Sequence, residues 1–382
     1  MLFRLKRATE SVASSSIDWT LLIAALSISL CGLVTMHSFS AENAFFEKQV
    51  VWICVALCVF FVASVPPYTL LRRTSVVMTL FVGSVTLLAL IYVFGSIIMG
   101  SQNRFNLGFF FMQPSDPAKI VLVIVLAKYF SRRHIEIAHI RHILVSGTYA
   151  FIIFVLVFFQ PDFGSAIIIA ATWFGMVLVA GLSWKHLGIL TLSAMIVFAG
   201  LWHYGLHPYQ KQRVLTFLHP LADIHGTGYN AYQSTVAVGS GEVVGKGIGY
   251  GTQSKLEFLP EYQTDFIFAA YAEEWGFVGV VLLCGCFLIL IIRILVGAAG
   301  STDNFDALFA AGIALYFIAQ ITVHMGMNLG LLPITGSTLP FMSYGGSHLV
   351  TEYFALGILM SNRRNARGAL RVRDETELLG LV

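Results

Sequence analysis

Ten long apolar runs dominate the sequence, near residues 18–38, 49–66, 75–96, 117–130, 142–159, 163–182, 186–205, 265–297, 305–329 and 346–362. Crossing the hydrocarbon of a bilayer takes about 20 mostly apolar residues in a helix. In lipid, every backbone N–H and C=O must find its partner within the segment. Each run therefore predicts a spanning helix, the fourth short and the eighth long. The alternation of an outer-membrane barrel is absent. Only 11% of the 382 residues are charged, against about 25% in a soluble domain. That balance excludes a water-soluble globule, a disordered chain, a fibrous rod and a nucleic-acid binder. The prediction is an all-α polytopic membrane protein with about ten transmembrane helices. It is a single membrane domain over 1–382, with a large extracytoplasmic loop at 206–264 between helices 7 and 8. The first run is too long for a signal peptide and lacks an A-x-A cleavage site, so it reads as a retained span. Cys31, Cys54, Cys58, Cys284 and Cys286 all sit in apolar runs and read as small buried hydrophobes.

Lysine and arginine set the orientation. With both ends inside, sixteen of the 23 basic residues face the cytoplasm. Among these are Arg4, Lys6 and Arg7 in the 1–17 segment and Arg363, Arg364, Arg367, Arg371 and Arg373 in the 363–382 tail. The other seven are Lys48, Arg104, Lys119, Lys211, Arg213, Lys246 and Lys255, and four of them lie in the 206–264 loop. A connection this long is usually functional. No internal repeat of the kind common in transporters is evident.

The polar motifs gather on the predicted outer side. Gln113-Pro114-Ser115-Asp116-Pro117-Ala118-Lys119 follows Arg104 and places an acid and a base at the mouth of a span. A capped helix start with Lys119 snorkelling outward is the plain alternative. Gln160-Pro161-Asp162 is a tight turn in which Asp162 can cap the next helix. The glycine-rich stretch from Ser240 to Gly251 fails the phosphate-loop pattern, because Ser240 stands where its first glycine belongs and Gly247 where Ser or Thr is required. Its backbone N–H groups and Lys246 could still meet a pyrophosphate. His203 and His207 are four apart, but no third ligand has fixed spacing, so ordinary loop histidines account for them. In Glu261-Tyr262-Gln263-Thr264-Asp265, Thr264 is expected to start the eighth span and Asp265 to lie in its first turn, where the helix dipole favours an ionised carboxylate. Glu273, Glu274 and Glu352 follow inside apolar spans. A charge at the bilayer centre costs about 2.5–3.5 kcal/mol, so such groups face a polar cavity or a partner. The run from Gly330 to Ser347 holds Pro333, Pro340 and several glycines, and reads as an outer loop or as a re-entrant segment lining a site.

As an ordered set, these motifs resemble the SEDS family (shape, elongation, division, sporulation) of bacterial cell-wall polymerases over nearly the whole chain. Residues 245–268, GKGIGYGTQSKLEFLPEYQTDFIF, are more similar to the RodA (elongation) branch than to the FtsW (division) branch. The resemblance implies a peptidoglycan glycosyltransferase that polymerises Lipid II at the outer face of the bacterial cytoplasmic membrane. It places the essential loop aspartate at Asp265. It assigns substrate or pyrophosphate contacts to Arg104, Lys119, Gln210, Arg213, Lys246 and the Ser343, Tyr344, Gly345, Gly346, Ser347 turn. Asp116, Asp162, Glu261, Thr264, Glu273 and Glu274 are expected in support. The partners implied are the growing glycan strand, a class B penicillin-binding protein with transpeptidase activity, and other elongation-complex membrane proteins. This chain departs from the family pattern at Asp116, a glutamate elsewhere, and at Gln263, His324 and His348.

In the expected reaction Asp265 serves as general base for direct, inverting displacement, while outer cations stabilise the departing pyrophosphate. A divalent cation, Mg or Mn, held by Asp265 is the alternative role. The rival functions are a Lipid II flippase, which would need a polar path from the inner side, and a non-catalytic scaffold for the transpeptidase.

Overall fold

The computed structural model describes residues 17–39, 44–98, 101–108, 111–132, 140–205, 208–219, 228–256, 258–301 and 303–378. Ten helices follow the ten apolar runs: α1 (Trp19–Phe39), α2 (Ala44–Ser64), α3 (Thr74–Phe94), α4 (Ser115–Ser131), α5 (Ile140–Phe159), α6 (Phe163–Gly181), α7 (Trp184–Gly200), α11 (Ile267–Ala299), α12 (Asn304–Asn328) and α13 (Gly346–Leu378). Between α7 and α11 lie α8 (Pro208–Leu218), α9 (Tyr229–Ser240) and the single turn α10 (Thr252–Lys255). Seven of the ten are long and apolar enough to cross a membrane, among them α1, α2 and α11. The chain is a multi-pass membrane protein. Its surface carries large apolar side chains such as Val62, Val93, Phe159 and Phe277, as expected where lipid is the solvent.

The shortest predicted span sits deepest. In α4, Ile120, Leu122, Val123, Ile124, Val125, Leu126 and Ala127 are all buried, and a helix apolar all round belongs inside a bundle. It packs against α3, α5, α6, α12 and α13. Its polar first turns are therefore carried into the middle of the protein. On the far flank, α13 lies along α2 and α11 along α1.

Groups predicted to share the cytoplasmic side do meet at one end. Asp18, just before α1, accepts from Arg293 Nη2 at 2.6 Å and from Arg363. Arg72 pairs with Asp303 at 2.9 Å and Asp306 at 2.8 Å. Arg4, Lys6, Arg7 and His207 lie outside the described residues, as do the side chains of Gln210 and of the basic residues after Arg363.

Two features were not expected. Between α3 and α4, β1 (Ser96–Ile98), β2 (Ser101–Asn106) and β3 (Phe111–Met112) form a small antiparallel sheet, with Ser96 opposite Arg104 and Phe105 opposite Met112. It turns Arg104 toward the mouth of α4. The long eighth span is also broken, because Gly276 has φ 64° and interrupts the helical ladder of α11. The loop 242–247 repairs the break. Lys246 N–H donates to Glu273 O and Gly247 N–H to Glu274 O, both at 3.0 Å, while Phe277 and Val278 donate to Glu242 O and Val243 O at 2.9 and 3.0 Å. The approach is so close that a Cβ on Gly245 (φ 86°) would stand 2.1 Å from Glu274 O, which only glycine avoids.

Candidate functional site

Asp265 does not lie in the first turn of α11. The helix starts at Ile267 with Phe266 as N-cap, and Asp265 sits in the turn before it. Glu261 adopts a left-handed φ of 52°, and its carbonyl accepts the N–H of Thr264, Asp265 and Phe266 at 3.1, 3.1 and 3.3 Å. The turn is further fixed by Asn328 Nδ2, which donates to Asp265 O at 3.0 Å. Ser343 Oγ donates to Thr264 O at 2.8 Å, and Tyr344 N–H donates to Gln263 O at 2.8 Å. Gly336 abuts the carboxylate, where a Cβ would stand 3.3 Å from Asp265 Oδ2. The segment from Gly330 to Gly345 is thus a strap inserted into the protein, with Thr335, Ser337, Leu339, Phe341, Met342 and Ser343 buried. Of the two readings open in the sequence, the buried segment beside a site describes it.

Four charged groups surround Asp265. Burial raises its pKa, the Glu261 carboxylate adds to this and Asp162 adds less, while Arg104 and Arg213 pull it down; the result is a carboxyl pushed up to about 7. Arg104 comes from β2. Arg213 comes from α8, where its Nη1 donates to Ile334 O of the strap at 3.2 Å. Asp162 caps α6 by accepting Ser165 N–H at 3.0 Å. Its other oxygen accepts Gln113 Nε2 at 2.9 Å, so the capping role and a place beside the site coincide.

Next to this group opens a cavity of about 640 Å³, lined by Arg104, Asp116, Thr264, Thr338, Tyr344, Gly345, Gly346, Ser347 and His348, and by Glu47, Lys48 and Trp52 of α2. Gln113 N–H donates to Ser347 Oγ at 3.2 Å, which ties the α4 mouth to the start of α13. Lys119 does not snorkel outward. It is buried and paired with Asp116 Oδ1 at 3.0 Å.

Lys246 is occupied elsewhere. Its Nζ lies 2.7 Å from Glu273 Oε1 and 2.8 Å from Thr252 Oγ1. Glu273 also accepts the N–H of Thr252 and Gln253 at 2.8 and 3.1 Å, and Glu274 accepts Gly249 N–H at 2.6 Å. The two glutamates that stood out in the eighth span therefore organise the glycine-rich loop. Sequence reasoning missed Trp52, Thr338, Asn328 and Gln49, whose Nε2 donates to Ser343 O at 3.3 Å. Asn328 and Gln49, polar residues at the ends of apolar runs, left a local signal.

A model of the FtsW/RodA/SpoVE cell cycle protein family matches residues 15–368. The chain belongs to this family. It is 35% identical to the peptidoglycan glycosyltransferase MrdB of Escherichia coli K12 over 347 residues, covering 90% of this chain and 93% of MrdB. It is 34% identical to the probable peptidoglycan glycosyltransferase FtsW of Coxiella burnetii over 388 residues, covering 96% and 99%. Identities this close leave the elongation and division branches undivided. Among solved structures, a chain from work described as "Structural coordination of polymerization and crosslinking by a peptidoglycan synthase complex" superposes with a TM-score of 0.78 at 32% identity, over 91% of this chain and 98% of that one.

Proposed function

We propose that the chain polymerises Lipid II into glycan strands at the outer face of the bacterial cytoplasmic membrane, with both termini in the cytoplasm. That it is a peptidoglycan glycosyltransferase rests on its family and on the names its relatives carry. The observation that carries the catalytic reading is the meeting of Asp265 with Arg104, Arg213 and Asp162 beside the 640 Å³ cavity. In this reading the acceptor sugar hydroxyl attacks the donor's anomeric carbon, the bond from that carbon to the prenyl pyrophosphate breaks, and the hydroxyl proton passes to Asp265. Attack opposite the leaving group inverts the anomeric centre. In the same reading Arg104 and Arg213, the cations that act on Asp265, stabilise the charge that builds on the pyrophosphate, since fixed cations act most strongly in such a site. Among the described residues no cluster of three or more metal-ligating side chains occurs. A divalent cation would fit here only as Mg²⁺ is often held, by one carboxylate and the substrate's phosphates, with Asp265 as the carboxylate; it would supply charge neutralisation.

The 245–268 stretch favours the elongation role. The complex seen for a structural neighbour favours work alongside a transpeptidase, the class B penicillin-binding protein. The test is purified protein in liposomes fed Lipid II. Long strands are expected; transbilayer movement of labelled lipid with no strands would favour the flippase and overturn the proposal.

A base titrating near 7 predicts a pH profile. Its ionised, proton-accepting form rises from about a tenth at pH 6 to about nine tenths at pH 8, so initial rates should climb close to tenfold across that interval. A flat profile of kcat/KM, which reports the free enzyme's groups, contradicts Asp265 as the base.

A further inference from the structure

Beside the cavity, three helices bury ionisable groups that the displacement does not use. α4 supplies Asp116 and Lys119, α13 supplies His348 and Glu352, and α12 supplies Tyr316 and His324; all are 5% exposed or less. The spacing is helical. Asp116 and Lys119 are three apart, and His348 and Glu352 four apart, so each pair shares one face of its helix. The imidazole stands between the carboxylates, with Nε2 2.9 Å from Glu352 Oε1 and Nδ1 3.8 Å from Asp116 Oδ1. Thr338 Oγ1 of the strap lies 3.0 Å from Nε2. The second oxygen of Glu352 accepts Phe341 N–H at 2.7 Å. Phe341 is fully buried and holds a φ of 61°, a conformation that a bulky residue keeps only where its surroundings enforce it.

Charge explains the arrangement. Lys119 answers Asp116, whereas the basic group placed against Glu352 among the described residues is the His348 imidazole. Two buried carboxylates facing one ammonium would leave an uncompensated charge, which is the costly case. A protonated His348 closes the set at two cations and two anions. Among the described residues it is the group placed against both acids.

We propose that His348 is a positioning residue: by bridging Asp116 and Glu352 it locks the strap backbone at Phe341 to the α4 turn that carries Lys119, and so fixes the cavity wall formed by Asp116, Thr338 and His348 itself. Its kinetic readout rests on the proposed function; the bridge itself does not.

The experiment uses the full chain in detergent and in Lipid II-fed liposomes. His348→Gln is expected to raise the apparent KM for Lipid II at least fivefold. A loss of folded molecules cannot do this, since it lowers only the number of active sites. Asp116→Asn and Glu352→Gln, alone and combined, should be non-additive in melting temperature and at least fivefold non-multiplicative in kcat/KM. In a His348→Ala background the kinetic coupling should fall below twofold or reverse sign, leaving only direct repulsion between the two acids. An unchanged KM in folded His348→Gln, or the same coupling with and without His348, overturns the proposal. If the wild type makes no strands at all, the glycosyltransferase reading fails separately, and the melting-temperature couplings decide the bridge.

Discussion

Asp265→Asn is expected to lower the rate of glycan strand synthesis by about 10³-fold or more at equal membrane levels, while leaving the protein at least as stable. A positioned general base commonly contributes 10²–10⁴ in rate, and asparagine keeps the shape while losing the proton acceptor. The fold does not depend on the carboxylate, because the turn is held through backbone atoms. Glu261 O takes the 265 N–H, and Asn328 Nδ2 donates to the 265 carbonyl. Stability should move the other way. Burial and the neighbouring Glu261 raise the folded-state pKa to about 7, whereas an unfolded aspartate titrates near 3.9. Ionisation of this group therefore favours the unfolded chain. The penalty is absent below about pH 4, grows between pH 4 and 7, and is complete above 7. Melting curves of Asp265→Asn should match the wild type at pH 4 and lie above it at pH 8. Rates near wild type would remove Asp265 from the reaction. A lower melting temperature at pH 8 would mean that Asp265 acts through structure instead.

The helices were legible because lipid imposes a single rule on every spanning segment, and ten apolar runs became ten helices with ends displaced by a few residues, except that α13 continues past the 346–362 run to Leu378. What escaped was set by tertiary contact. The sheet at 96–112 forms from three segments too short to show alternation, and it packs on α3 and α13. The helix start slipped past Asp265 because Glu261 takes a left-handed conformation, which its side chain does not announce. The glycines of 241–251 were weighed against phosphate chemistry, yet Gly241 and Gly245 are needed where the loop meets the α11 backbone. A Cβ on Gly241 would fall 2.0 Å from Ala272 O. Close backbone approach gives the same sequence signal whether the neighbour is a ligand or a helix. Asp116 and Lys119 were legible as an acid and a base three apart. Their link to His348 and Glu352 was not, since residues more than 200 positions away complete it.

Glu273→Ala should destabilise the protein by about 1.5–3 kcal/mol, the usual worth of hydrogen bonds to a charged group. The carboxylate is fully buried. Its Oε1 receives Lys246 Nζ at 2.7 Å, Thr252 N–H at 2.8 Å, Thr252 Oγ at 3.0 Å and Gln253 N–H at 3.1 Å. Alanine removes the acceptor these donors share; Lys246 and Thr252 are exposed and turn to water, so the loss is that of the charged hydrogen bonds that tie the loop to α11. Glu273→Gln keeps one carbonyl oxygen and offers an N–H₂ group where donors converge, so a smaller loss of about 0.5–1.5 kcal/mol is expected. Because this loop runs directly into the 258–266 turn, its release should also reduce strand synthesis, even though Glu273 takes no part in the displacement itself. Limited proteolysis between residues 242 and 257, with melting in detergent, separates the two consequences. Cleavage should appear in Glu273→Ala well below its melting temperature. If Glu273→Ala melts with the wild type and resists cleavage, the loop is held by the glycine-to-α11 backbone bonds alone, and the acid inside the eighth span needs another reason to be there.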